Sequence, residues 1–251
     1  MTRYILECCV DSVESALAAK EGGADRLELC AALMIGGISP GLALFEQVRA
    51  CCDLPVRVLL RPRFGDFLYS EHEFQILKRE VELFRKAGAE GVVIGCLTED
   101  GSLHMEQMQE LIAQAGDMKV TLHRAFDVCA APVKAYEQAR ELGIDTILTS
   151  GQKRDCLAGM SLLQQLSVLQ EEKGAPRIMA GAGMTPDVIR QFRAQTNITC
   201  YHLSAKTVVD SGMRYRKEDV PMGLPVMDEY SIFRTDSRIV AEAKKALLEI
   251  K

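Results

Sequence analysis

The chain has 251 residues, 48% of them apolar, with a formal net charge of −5 and a pI of about 5.5. This much apolar content fills a large core, while the acidic balance excludes a basic footprint for nucleic acid. No apolar run approaches the roughly 18 residues that cross a bilayer, so neither membrane nor nucleic acid is expected as a partner.

From the N-terminus, Met1-Thr2-Arg3-Tyr4 leads directly into a strand, without the apolar stretch of a secretory leader. Short apolar runs near 3–9, 26–30, 56–61, 91–95, 118–124, 146–150, 177–181 and 200–204 read as strands, each followed by an amphipathic helical stretch. Eight such alternations predict an α/β fold, a single (β/α)₈ TIM barrel forming one domain over 1–251. A doubly wound sheet is the alternative, but no Gly-x-Gly-x-x-Gly turn follows the first strand.

The joints repeat. Gly23-Ala24-Asp25, Gly88-Ala89-Glu90 and Gly143-Ile144-Asp145 each place a helix-ending glycine and then an acidic residue before a strand. Pro55 and Pro176 open other strands, where a proline is tolerated. Asp11-Ser12 starts the first helix, Ser70-Glu71-His72-Glu73 is a capping box, and Thr185-Pro186 marks a cap with proline at the first helical position. The stretch 206–235, with Gly212, Pro221, Gly223 and Pro225, reads as an irregular loop after strand eight, and a C-terminal helix near 236–250 closes the chain.

Nine cysteines, an odd number with no Cys-x-x-Cys pair, do not form a disulfide framework. They predict reduced thiols and a cytoplasmic location. Cys51, Cys52, Cys129, Cys156 and Cys200 read as small apolar core residues.

The active face of such a barrel lies at the C-terminal strand ends, and polar residues gather there. The first two strands end in Glu7-Cys8-Cys9 and Glu28-Leu29-Cys30. Residues two apart share a strand face, so two carboxylates and two thiols converge if these strands are neighbours. Arg61-Pro62-Arg63 ends strand three, His123-Arg124-Ala125-Phe126-Asp127 ends strand five, and His202-Leu203-Ser204 ends strand eight. Either Glu7 and Glu28 are neutralised by Arg61 and Arg124 in an ion-pair ring, or the ring frames a pocket. In the pocket, Glu7, Glu28, Arg61, His123, Arg124 and Asp127 are the candidate catalytic residues, with His123 as acid or base and Asp127 orienting it. Arg61 and Arg63 could grip a carboxylate or phosphate in forked geometry. Arg63, Gly181, Gly183 and Ser204 are the candidate anion-binding residues, since Gly181-Ala182-Gly183 precedes a helix N-terminus as in a barrel phosphate site. Cys9 and Cys30 either fill the mouth as small residues or hold a soft ion such as monovalent copper. His72 and His104 read as solvated residues at helix starts.

These segments resemble the CutC copper homeostasis proteins. The resemblance rests on 7–16, on 22–30, on Arg61-Pro62-Arg63 with 65–70, on His123-Arg124-Ala125-Phe126-Asp127, on Leu148-Thr149-Ser150-Gly151 and on Met213-Arg214-Tyr215-Arg216. It implies a (β/α)₈ barrel, a cytoplasmic location, a homo-oligomer with a dimer favoured, and monovalent copper held through cysteine. Cys9 and Cys30 match the copper-linked positions. It implies no particular reaction. One departure is Phe64, which stands where the family usually has glycine and is expected to narrow the pocket or alter its loop. Two functions follow as expectations: a copper homeostasis protein with a Cys9–Cys30 site, or a lyase, isomerase or hydrolase acting on a small anionic or phosphorylated metabolite.

Overall fold

The computed structural model describes residues 4–217, 219–220, 222 and 228–249. Met1 to Arg3, Pro221, Gly223, Pro225 and Ile250, on which sequence expectations fell, lie outside the described residues.

Eight parallel strands alternate with helices in chain order. These are β1 (Ile5–Val10), α1 (Val13–Glu21), β2 (Arg26–Leu29), α2 (Leu42–Cys51), β3 (Val56–Leu59), α3 (Glu71–Lys86), β4 (Gly91–Ile94) and α4 (Met105–Ala115). The chain continues with β5 (Lys119–Leu122), α5 (Pro132–Glu141), β6 (Thr146–Thr149), α6 (Met160–Leu169), β7 (Arg177–Ala180), α7 (Pro186–Gln195) and β8 (Cys200–Leu203). β8 pairs back onto β1, so the sheet is a closed barrel.

Period-2 alternation divides each strand between two apolar regions. Leu6, Cys8 and Val10 of β1 join the large core between sheet and helices, while Ile5 and Cys9 belong to small clusters apart from it. α3 shows how the helices dock. Phe74, Leu77, Val81 and Phe84 lie on one face and are buried, each contributing about 1.5–3 kcal/mol relative to exposure. Ser70 and Glu73 close the expected capping box. Gly23, Gly88 and Gly143 take left-handed φ values of 86°, 82° and 70°, which lets the chain leave each helix and turn straight into the next strand.

The repeated acidic residues after these glycines brace the N-terminal end of the barrel. Asp25 accepts the Leu6 N–H at 2.8 Å and pairs with Lys244 at 2.6 Å. Glu90 and Asp145 both pair with Arg57 at 2.9 Å.

Three expectations need correction. The stretch 206–235 is not wholly irregular: β9 (Lys206–Asp210) and β10 (Ser231–Thr235) form an antiparallel ribbon with Val208 opposite Phe233. β10 is then followed by α8 (Ser237–Leu248). Cys51, the last residue of α2, is exposed rather than in the core, because the helix buries Phe45 and Val48 instead, whereas the following Cys52 is buried. His104 is half-buried as the N-cap of α4, its Nδ1 accepting from the Gln107 N–H.

Candidate functional site

A cavity of about 810 Å³ opens at the C-terminal ends of the strands. Its floor is built from three neighbouring strands. β1 and β2 pair in a register that sets Glu7 beside Arg26 and Cys9 beside Glu28, and barrel closure sets Glu7 beside His202 of β8. Glu7 is fully buried. It accepts from Arg26 Nε at 2.5 Å and sits 2.8 Å from His202 Nδ1. Burial alone raises the Glu7 carboxyl, but Arg26 and the His202 hydrogen bond outweigh it and bring the group down to about 2. Burial opposes charge on His202 in turn, yet Glu28 and Glu7 hold its pKa above the ordinary histidine value.

Above this pair lie the sulfurs. Cys9 Sγ donates to Glu28 Oε1 at 3.2 Å and stands 3.7 Å from Cys30 Sγ. The hydrogen bond with Cys30, burial and the adjacent carboxyl push the Cys9 thiol well up. Burial also raises Glu28, with His202 only partly offsetting it. Glu28 Oε2 is buried without a partner among the described residues. One ligand atom each from Cys9, Glu28 and His202 lies within 4.8 Å of the others. Two soft sulfurs, an imidazole and a carboxylate with a free lone pair suit a soft monovalent ion. A carboxylate on the far nitrogen of a histidine is also how ligating histidines are oriented.

The walls carry the other polar groups. Arg61 lines the cavity, with Nη1 on Gly37 O at 3.3 Å and Nη2 on Gly65 O at 2.5 Å. His123 is buried on the wall; its Nδ1 accepts the Ala125 N–H at 3.1 Å, while its Nε2 has no partner among the described residues. Burial, with Arg61 beside it, brings the imidazole down to about 3.

The ion-pair ring of Glu7 and Glu28 with Arg61 and Arg124 does not form. Arg26 and His202 take Glu7, and Arg124 pairs with Asp127 at 2.7 Å. Asp127 does not orient His123. Its oxygens accept from Thr149 Oγ1, the Ser150 N–H, Ser150 Oγ and the Gln152 N–H, so it pins the loop after β6. Arg63 does not reach the cavity: it holds Glu73 at 2.6 Å, Asp66 at 2.9 Å and the Leu68 carbonyl. Gly183 and Ser204 line the cavity. Gly181 is instead a close approach, where a Cβ would fall 2.7 Å from Leu148 and 3.4 Å from His202. Phe64 is 68% exposed and neither narrows nor lines the cavity.

Sequence reasoning gave no role to Arg26 or to His202, although it set His202 at the end of strand eight. Both carried a signal: Arg26 alternates with Glu28 and Cys30 on one strand face, and His202 sits one residue before the end of β8. What joins them to Glu7 is inter-strand register.

The CutC family model matches residues 4–207. The chain belongs to the CutC family. A family protein CutC from Histophilus somni is 41% identical over 244 residues, spanning 97% of this chain and 99% of that protein. A human relative, a copper homeostasis protein cutC homolog, is 40% identical over 234 residues, covering 93% and 85% of the two chains. A solved CutC structure from Streptococcus agalactiae superposes with a TM-score of 0.75 at 22% identity, over 80% of this chain and 98% of that one, and shares the fold. Among the described residues no helix is long and apolar enough to cross a membrane.

Proposed function

We propose that this CutC protein carries monovalent copper as cargo on the floor of the barrel mouth, held by the Cys9 and Cys30 sulfurs with Glu28 and His202 beside them. The observation that carries this is the 3.7 Å approach of the two sulfurs within reach of the Cys9, Glu28 and His202 donor group. Soft thiolates select Cu(I) over the harder divalent ions. The name of the human relative supports the same role. Copper displaces the thiol protons on binding, and Glu28 Oε1, which already accepts the Cys9 thiol at 3.2 Å, is placed to receive one.

A cytoplasmic location belongs to this proposal, because the thiol forms it requires persist in a reducing compartment. So does a homodimer, for which the exposed Val208, Val209, Met213 and Tyr215 on and beside the β9–β10 ribbon offer an apolar surface. The test is X-ray absorption at the copper edge of protein loaded anaerobically with one equivalent of Cu(I). Sulfur neighbours in the wild type that are lost in Cys9→Ser/Cys30→Ser support the site. A purely nitrogen and oxygen shell, or an unchanged spectrum in the variant, contradicts it.

A second function is favoured by a separate observation. Arg61, Arg124 and Lys206 line the same cavity, and a two-sulfur copper site uses none of them. They suit an enzyme acting on a small anionic metabolite. Its test is turnover of phosphorylated and carboxylated metabolites by the wild type and its loss in Arg61→Ala. Turnover that survives in the variant counts against this wall.

A further inference from the structure

The floor of the mouth accounts for Cys9, Cys30, Glu28 and His202 and leaves one wall unexplained. Two polar atoms on that wall are buried without a partner among the described residues, Arg61 Nε and His123 Nε2. His123 is only 4% exposed. Because its Nδ1 accepts the Ala125 N–H, the neutral ring carries its proton on Nε2, and the unpartnered atom is a donor. Burial beside Arg61 keeps the ring neutral through the physiological range. Arg61 has spent both terminal nitrogens on backbone carbonyls, and no carboxylate pairs with it among the described residues. Both side chains pack on one ring: the Arg61 guanidinium lies 5.0 Å, and the His123 ring 4.7 Å, from the centre of Phe67. A half-buried cation whose Nε finds no acceptor, beside a buried N–H donor that finds none among the described residues, is costly unless something supplies the oxygens.

Across the mouth stands Lys206, which follows β8, three strands round the closed ring from β3. It lines the same cavity and lies 5.6 Å from the Phe233 ring. It too pairs with no carboxylate among the described residues, whereas Arg124 is already neutralised by Asp127. The residue before Lys206 is Ala205 at φ 47°, and Ala182 on the neighbouring loop has φ 69°. Left-handed alanines are strained, and such strain persists where the surroundings hold a functional geometry.

We propose that the cavity takes a small molecule with an anionic group at each end, one received by Arg61 and His123 and the other by Lys206. This rests on the second function above and names its ligand class. His123 acts here as a fixed neutral donor toward a carboxylate or carbonyl oxygen, a preorganised dipole rather than a proton carrier. Phe67 holds both donors in place.

The test is calorimetric titration of the full chain with succinate, 2-phosphoglycolate and acetate, with histidine ¹⁵N spectra recorded in parallel. The two-ended anions are expected to bind about tenfold or more tighter than acetate, and Arg61→Ala and Lys206→Ala each to weaken them by about tenfold or more. Lys206→Arg retains binding, and the His123 Nε2–H resonance moves at saturation. A preference for 2-phosphoglycolate or for succinate assigns the anion chemistry, and both support the site. No binding by any of the three, acetate binding as tightly as succinate, a His123 resonance unmoved at saturation, or full affinity in Lys206→Ala overturns it. A metabolite turned over equally by wild type, Arg61→Ala and His123→Phe removes this site while leaving an enzyme role standing.

Discussion

At the N-terminal end of the barrel interior, Arg57 has every nitrogen occupied. It donates to Glu90 at 2.9 Å and 3.5 Å, to Thr121 at 2.8 Å and to Thr146 at 3.2 Å, and it pairs with Asp145 at 2.9 Å. At the C-terminal mouth, Glu28 Oε2, Arg61 Nε and His123 Nε2 are buried without a hydrogen-bond partner among the described residues. Both ends bury charge inside one barrel, but only one end closes its hydrogen bonds. The closed layer stabilises the fold, and the open layer is where the proposed copper and the proposed two-ended anion are assigned. Between them sits the Glu7–Arg26–His202 group, closed on itself and carrying the open layer above it.

The largest expected effect breaks this middle group. Arg26→Met leaves Glu7 buried without its main cation, and urea unfolding should show a loss of about 3–5 kcal/mol. A loss below about 1 kcal/mol would mean that His202 alone neutralises Glu7. Arg57→Met should cost less, about 1–3 kcal/mol, because its partners Glu90 and Asp145 are each 36% exposed and can turn to water. Equal losses in the two variants would mean that the middle group buries its charge no more deeply than the Arg57 layer.

Acid titration sharpens the comparison from the mouth. His123 is held neutral, its pKa lowered to about 3 by burial and by Arg61. The unfolded chain takes up that proton near pH 6.5. A lowered histidine pKa contributes stability that is present above the unfolded value and lost as pH falls from about 6.5 toward 3. Below about pH 5.5, wild-type stability should therefore fall more steeply than that of His123→Gln, by about 1.4 kcal/mol per pH unit. Parallel curves for the two proteins would show that His123 is not held neutral. The smallest effect lies at the ribbon. If the proposed homodimer forms through the ribbon, Val208→Ser/Val209→Ser should shift light-scattering mass toward the monomer while changing unfolding free energy by less than about 1 kcal/mol, and an unchanged mass would count against that dimer.

Most of the barrel was legible because its signals are local. The Gly-x-acidic joints announced β2, β4 and β6, and the same acidic residues turned out to be the braces of the Arg57 layer and of α8. Glu7 with Cys9, and Glu28 with Cys30, were legible as facing pairs from period-2 alternation alone. Their partners were not, because a carboxylate is neutralised by whatever register places beside it. That register selected Arg26 and His202 rather than the more conspicuous Arg61 and Arg124. Asp127, four residues after His123, suggested an orienting pair, but a turn of 3₁₀ helix over Arg124–Val128 carries its carboxylate toward β6. β9 and β10 escaped because each is short and they pair across an intervening stretch that reads as turns.

The most direct measurement is an anaerobic competition titration of Cu(I) against a chelator, comparing wild type, Cys9→Ala/Cys30→Ala and Arg61→Ala. Wild type and Arg61→Ala should bind Cu(I) tightly and stoichiometrically, and the double cysteine variant should lose that binding. Weak binding throughout, or binding indifferent to the two thiols, would contradict a copper site at the mouth.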